Sequence, residues 1–211
     1  PVGTLVCASN ANNVLTDFLS TGTYDRNRPF YQTASPSMDI LISSNLERLL
    51  ALMEGAGNSV SGYMNELAAH GKYTVRPETA QKIAAEFACG FCDDKGTKQT
   101  IAKLFSKKNY LLDTHTAVAW NVAESYRETS GAKNPLVVVS TASPFKFCQS
   151  VLEALGETEF AAGTDIIAQL AKKTGKTAPA PLAGLAGKAV RFTGVTGKDE
   201  MEGKVTEFLR A

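Results

Sequence analysis

One stretch constrains the fold of this 211-residue chain more than any other. The segment "PLVVVS" at residues 135–140 is the clearest strand pattern, a continuous apolar run typical of a strand buried in a parallel sheet. It leads directly into Ser140 and Thr141 and then into "SPFKFCQSVLEALG", where Ser143 and Pro144 predict a helix cap and first turn. Because ligands bind beyond the carboxyl ends of such strands, the two hydroxyls are candidate site residues.

The order of strand followed by helix recurs elsewhere in the chain. Residues 3–8 predict a strand, "VLTDFLSTG" a helix that ends at Gly22, and "NYLL" a strand before a helix at about residues 116–128. "KYTV" predicts a short strand, and "RPETAQKIAAEFACGF" a helix with Pro77 near its start. We therefore expect an α/β fold: a parallel or mixed sheet with flanking helices and a helix-rich insertion at about residues 45–108.

The composition excludes several classes of partner. The chain has 22 basic and 21 acidic residues and a net charge of +1, which predicts neither a nucleic-acid nor a membrane partner. Four cysteines without disulfide-scaffold spacing favour a reducing, cytoplasmic location. The sequence opens at Pro1 directly ahead of a predicted strand. We therefore expect residues 1–211 to be the C-terminal part of a longer protein.

The cysteine and histidine motifs each have a functional and a structural interpretation. Cys89 and Cys92 form "CGFC", which suits a redox dithiol or half a zinc site, but neither a second cysteine pair nor a preceding strand pattern supports either. We favour structural cysteines at a helix end. His70 precedes Gly71 at a predicted helix end, where a histidine interacts with the last carbonyls.

Three polar positions are candidates for a substrate pocket. His115 stands at the strand-to-helix corner "DTHTA", although Asp113 or Thr114 could simply cap the helix with a solvated His115 beside it. Asp39 lies in the long loop "TASPSMD", for which a solvated turn is the default. Asn45 follows two serines at the start of the leucine-rich helix "LERLLALMEG".

Four segments together resemble the C-terminal portion of threonine synthase, a family of pyridoxal phosphate enzymes of fold type II. They are "SNANNVLTDFLSTGTY", "SPSMDILISSNLERLL", "DTHTAVA" and "VVVSTASPFKF", and they occur in the order in which the family has them. The resemblance implies conversion of O-phospho-L-homoserine and water to L-threonine and phosphate, a carbon–oxygen lyase reaction with pyridoxal phosphate as electron sink.

The resemblance also implies roles for particular residues. Thr141, with Ser140 beside it, matches the family position where a hydroxyl faces the ring nitrogen of the cofactor; a neutral hydroxyl binds that nitrogen without enforcing its protonation. Some relatives read "STAHP" and "DPHTA" where this chain has Ser143 and Thr114, so a histidine role at Ser143 does not carry over.

The Schiff-base lysine and the phosphate-binding glycine-rich loop have no counterpart in this sequence, and Lys146 does not match that lysine. We expect no catalytic residue in the chain, the missing N-terminal part as its partner, and an inactive protein in isolation. The alternative is a non-catalytic module that binds a small ligand or a partner chain.

Overall fold

The computed structural model describes residues 2–55 and 57–210. The expectation attached to Pro1 therefore lies outside the described residues. The first part of the chain alternates short strands with helices: β1 (Leu5–Ser9), α1 (Val14–Thr21), β2 (Thr23–Asp25), α2 (Ser44–Glu54), α3 (Gly57–His70), β3 (Lys72–Thr74), α4 (Pro77–Glu86) and β4 (Phe87–Phe91).

The second part of the chain is helical. It contains α5 (Asp94–Lys108), α6 (Thr114–Ser130), α7 (Cys148–Ala154), α8 (Asp165–Thr174), α9 (Ala180–Ala183) and α10 (Met201–Arg210). Short 3₁₀ turns lie at Pro36–Met38, Pro144–Lys146, Gly184–Gly187 and Lys198–Glu200. The fold is mixed α/β, as the sequence predicts, with many helices around small sheets.

Two pairs of strands are present in the described part of the chain. β1 runs parallel to β4, in a register that pairs Leu5 with Phe87 and Cys7 with Cys89, and β2 runs antiparallel to β3. Side chains alternate between the two faces of a strand. Val6 and Ala8 of β1 pack with Val118 of α6.

The close approach of α6 to this sheet depends on a glycine in β4. A Cβ atom built on Gly90 would lie 2.9 Å from a methyl group of Val122, which is closer than carbon atoms pack. On the other face of the sheet, the hydroxyl of Thr16 in α1 donates to the carbonyl of Gly90 over 2.9 Å. The paired strands are therefore held between α1 and α6.

The buried apolar residues form two main clusters. The first unites α1 to α4 with β2 and β3 and includes Phe18, Leu50 and the stacked rings of Tyr24 and Tyr73. The second joins α5 to α8 and includes Ile101, Leu112, Val151 and Leu170, among others. The helix-rich insertion at about residues 45–108 stays a prediction. Of the helices in that range, α5 shares its core with later helices, whereas α2 to α4 share theirs with α1.

Two predicted strands are wrong. Residues 135–140 are irregular, and Val137 and Val139 are 87% and 71% exposed, because no described strand lies beside this segment to complete a ladder. The "NYLL" segment is also irregular. Asn109 ends α5 with a positive φ of 52°, and too few residues remain before the cap of α6 at Asp113.

The helix predicted across "CGFC" is wrong as well. α4 ends at Glu86, and Cys89 lies in the middle of β4. The reason is tertiary, since pairing with β1 satisfies the backbone of residues 87–91 and overrides the helical pattern of the segment before it.

The packing of α2 generates a stability prediction with a matched control. Leu50 is completely buried and Leu52, on the same helix, is 81% exposed. We expect Leu50→Ala to lower the free energy of unfolding by about 2–5 kcal/mol through lost burial and a cavity. Leu52→Ala should change it by less than about 0.5 kcal/mol. Urea denaturation followed by circular dichroism measures both, and equal effects of the two substitutions would contradict the packing described here.

Candidate functional site

The amino end of α6 is organised by one buried carboxylate. Asp113 is 1% exposed, and its Oδ1 accepts from the backbone N–H of His115 at 2.9 Å and of Thr116 at 3.2 Å. Burial alone would raise the pKa of this carboxyl. Hydrogen bonds from His115 and Thr116 outweigh burial and hold the pKa of Asp113 below its ordinary value. Asp113 is therefore an ionised helix cap.

His115 has a defined tautomer. Its Nε2 lies 3.1 Å from the backbone nitrogen of Ser37, whose N–H can only donate, so Nε2 accepts and carries no proton. Nδ1 lies 3.2 Å from Oδ1 of Asp113 and therefore carries the proton that it donates to the carboxylate. The imidazole is neutral, and both of its nitrogens are engaged.

The sequence suggests that Asp113 or Thr114 caps α6 and that His115 is solvated beside it. Asp113 does cap the helix, but the prediction of a solvated His115 is wrong. His115 is 9% exposed, because the turn that contains Ser37 covers one edge of the ring. The ring of Phe147 covers another side, with 4.6 Å between the ring centroids. The histidine thus ties the loop at residues 36–38 and the turn before α7 to the start of α6.

A chain of hydroxyl groups leads from Asp113 toward the segment at residues 140–141. Thr116 Oγ1 makes a short hydrogen bond to Asp113 Oδ2 and lies 3.2 Å from Ser140 Oγ. Thr116 Oγ1 is positioned to donate to both acceptors, and since a hydroxyl carries one proton it donates to either Asp113 or Ser140 at any one time. The hydroxyl of Thr116 therefore links the carboxylate of Asp113 to Ser140.

A second carboxylate, that of the half-buried Asp39, organises the loop after β2. Oδ1 of Asp39 accepts from the side-chain amides of Asn10 at 2.7 Å and Asn12 at 3.0 Å, and from the hydroxyl of Thr33 at 2.7 Å. Oδ2 accepts from the backbone N–H of Thr33 at 3.0 Å. Asp39 is thus an anchor between this loop and the turn after β1, and not the solvated turn residue that composition favours.

The asparagines of that turn were not singled out as site residues. Asn10 and Asn12 are 1% and 3% exposed. Asn12 makes two hydrogen bonds with the backbone of Tyr31: its Oδ1 accepts from the N–H at 2.9 Å, and its Nδ2 donates to the carbonyl at 2.8 Å. Their position in the sequence could have identified them, because the "SNANN" turn follows a predicted strand, at the end where polar side chains gather in α/β folds. Thr116 was missed for lack of any local signal.

The structure brings some of the predicted residues together and leaves others apart. Asp39, His115 and Ser140 belong to groups that meet around the turn at residues 36–38 and the amino end of α6. Asn45 lies in the exposed first turn of α2, and its Oδ1 accepts from Arg48 at 2.6 Å. Among the described residues, no hydrogen bond joins Asn45 to these groups.

Thr141 is exposed beside Ser140, and neither caps the following helix. The cap is Ser143, whose Oγ accepts from the backbone N–H of Phe145 over 3.3 Å, as the Ser-Pro pattern predicts. The two hydroxyls therefore have no role in starting the next helix. Their assignment to a cofactor stays a prediction.

The described residues offer neither a metal site nor a membrane-spanning helix, but they do form a cleft. They contain no cluster of three or more histidine, cysteine, aspartate or glutamate side chains arranged to hold a metal ion. Within the same residues, the helices are either too short or too polar to cross a bilayer. A cleft of about 580 Å³ lies between α7 and α8, lined by apolar side chains such as Phe145, Phe160 and Ile167 and by polar ones such as Lys146 and Gln149.

Comparisons with known proteins agree on one family. A family model described as "Threonine synthase, C-terminal" matches residues 116–205. A threonine synthase-like 1 protein of Pongo abelii is 39% identical over 157 residues, which are 74% of this chain and 21% of that protein. The crystal structure of PLP-bound threonine synthase from Brucella melitensis is 37% identical with a TM-score of 0.70, over 80% of this chain and 36% of that one.

A crystal structure of yeast threonine synthase matches 100% of this chain and 43% of its own, with 29% identity and a TM-score of 0.84. The chain thus spans 21% to 43% of the length of these relatives. Its fold is that of the C-terminal part of a larger mixed α/β protein. The chain belongs to the threonine synthase family, as the resemblance of its four segments predicts.

The charge on Asp113 generates a pH-dependent prediction. Asp113→Asn keeps the shape but puts an amide N–H₂ where the carboxylate accepts, so we expect a loss of about 1–3 kcal/mol in the free energy of unfolding at neutral pH. Folding lowers the pKa of this carboxyl, so its charge stabilises the protein at pH values above the pKa of the unfolded chain. That stabilisation is lost as the pH falls through the pKa of the folded protein. The deficit of the variant should therefore shrink as the pH drops below about 3.9.

Denaturation curves of the parent and the variant at several pH values measure this difference. Glu128→Gln, at an exposed position on the same helix, is the control and should behave like the parent. A deficit of Asp113→Asn that is the same in acid and at neutral pH would show that the charge of Asp113 is not what stabilises the site.

Proposed function

We propose that this chain is the C-terminal part of a pyridoxal phosphate-dependent threonine synthase of fold type II, which converts O-phospho-L-homoserine and water to L-threonine and phosphate. Family membership and the PLP-bound relative support the proposal. The observation that carries it is the series of hydrogen bonds from Asp113 through Thr116 to Ser140, which lies next to Thr141 in the segment that the resemblance assigns to the cofactor ring.

The hydroxyl groups suit the ring nitrogen of the cofactor. Ser140 Oγ is engaged as an acceptor by Thr116, whereas the hydroxyl of Thr141 is exposed and able to donate to a neutral nitrogen. A hydroxyl in that place orients the ring without supplying the negative charge that would stabilise a protonated ring nitrogen. Pyridoxal phosphate, when bound, supplies an electron sink for the carbanion chemistry.

The three substrate-pocket candidates take different roles in this proposal. Asp39 and His115 have their polar atoms occupied by neighbours, so they position the loop at residues 33–39 and do not move protons themselves. Asn45 is exposed at the first turn of α2 and is the one of the three proposed to contact the substrate directly. In this proposal, Asp39 and His115 shape the wall of the pocket without contacting the substrate.

The remaining parts of the active site are proposed to lie outside this chain. In this proposal, the missing N-terminal part supplies the Schiff-base lysine and the loop that binds the cofactor phosphate. The four cysteines, all free thiols, support the proposed cytoplasmic location.

The first test concerns the isolated chain. Since none of its lysines matches the Schiff-base lysine, incubation with pyridoxal phosphate and then borohydride should give no adduct at a single stoichiometric site. Threonine formation from O-phospho-L-homoserine should be absent. Peptide mapping by mass spectrometry detects scattered surface modification and separates it from a specific adduct. One specific adduct together with threonine synthesis would refute the assignment of the lysine to another part of the protein.

The second test concerns Thr141 in a longer protein that includes this sequence and binds the cofactor. Thr141→Val removes the donor and keeps the shape, so cofactor affinity and turnover should each fall about five- to a hundredfold, the effect of losing a buried hydrogen bond worth about 1–3 kcal/mol. Thr141→Ser should retain much of both. Ser140→Ala is the neighbouring control and should do less damage. Parent-like cofactor binding in Thr141→Val would refute the assignment.

A further inference from the structure

The two cysteines of "CGFC" do not face each other. Cys89 lies on the face of β4 that is turned toward α1, where its Sγ is 3.5 Å from the carbonyl of Thr16. Gly90, the next residue, faces α6. Cys92 follows the strand and packs on the α6 side with Val118 and Val122. The arrangement of a redox CxxC pair is therefore absent from this motif.

The neighbour of Cys89 is Cys7 on the adjacent strand. The parallel register pairs their Cα atoms, and the alternation that places Val6 and Ala8 against α6 turns Cys7 to the same side as Cys89. Adjacent strands lie about 4.8 Å apart, within the Cα separations of about 4.4–6.8 Å that a disulfide spans. Burial, and after it the charge of Cys89, raises the pKa of the Cys7 thiol, in keeping with this proximity.

The four thiols differ in accessibility. Cys92 and Cys148 are buried, whereas Cys7 and Cys89 are only half-buried. Sγ of Cys89 lies 3.3 Å from the hydroxyl of Ser20, an exposed residue near the end of α1. A small molecule from solvent therefore reaches Cys89 first, and Cys7 lies beside it on the inner side.

We propose that Cys7 and Cys89 form a reversible disulfide when the protein meets a small-molecule disulfide such as oxidised glutathione. The thiolate of Cys89 attacks one sulfur of the oxidant, which releases one glutathione and leaves a mixed disulfide. The thiolate of Cys7 then attacks the sulfur of Cys89 and displaces the second glutathione. The protein gives up two electrons and two protons, and the oxidant is reduced to two thiols.

The geometry favours a bridge that is readily reduced again. Side chains on adjacent parallel strands project side by side, so their Cβ atoms lie about one strand spacing apart, wider than the roughly 3.5–4.5 Å of a relaxed disulfide. Closing the bridge draws the strands together, and strained bridges are the more easily reduced ones. Since β1 leads directly into Asn10, oxidation acts next to the Asp39 cluster.

The test uses the folded chain and oxidised glutathione, followed by alkylation of free thiols, trypsin and mass spectrometry. We expect the intact protein to lose about 2 Da, the two thiol hydrogens, and a cross-link to join tryptic peptide 1–26 to peptide 83–95. Reduction with dithiothreitol should restore the mass. A bridge confined to peptide 83–95, or a stable glutathione adduct without the mass loss, would overturn the proposal.

Two variants identify the sulfur atoms, because peptide 83–95 contains both cysteines of the motif. Cys92→Ser should keep the cross-link, and Cys89→Ser should abolish it. Circular dichroism before oxidation establishes that each variant is folded, and the fragmentation spectrum of the cross-linked parent gives the same assignment without any substitution. A cross-link that survives Cys89→Ser and disappears in Cys92→Ser would overturn the pairing.

Discussion

The candidate site depends on a single buried charge. Asp113 starts α6, fixes the tautomer of His115 and accepts from the hydroxyl of Thr116, which lies 3.2 Å from Ser140 Oγ. A neutral asparagine of the same shape would place an N–H₂ group against one of these donors, so the hydrogen bonds could not all be kept. The charge is held by donors on one short segment of chain, so a local feature of sequence orders loops that are distant in sequence.

The pairing of β1 with β4 supplies the frame on which that site is built. The five residue pairs of this ladder bring together segments about eighty residues apart, and α1 and α6 pack on its opposite faces. The turn after β1 carries Asn10 and Asn12, and α6 carries His115. Their side chains meet the same loop because both elements are attached to one small sheet.

The parts of the fold that could be predicted are those with local causes. Gly22 ends α1 with a φ of 73°, Ser143 caps the turn at Pro144, and Asp113 caps α6. The parts that could not be predicted have distant causes. His115 is buried by Ser37, 78 residues away, and β4 forms because β1 lies beside it.

The predicted strand at residues 135–140 fails to form because it lacks a distant partner. Its apolar pattern suits a strand with both faces covered, yet a strand forms only when a neighbour completes its hydrogen bonds. Among the described residues this neighbour is lacking, and the valines face solvent. For the candidate site, sequence patterns found the caps and the hydroxyl segment, whereas the engagement of Asp39 and His115 could be seen only in three dimensions.

The exposed valines at 137 and 139 also affect how the molecule behaves in concentrated solution. An extended apolar segment with free backbone N–H and C=O groups is a template for the same segment of another copy. With a net charge of only +1, electrostatic repulsion does little to keep two copies apart. The segment between Lys133 and Ser140 is therefore one contributor to self-association, and a covering strand would confer solubility as well as structure.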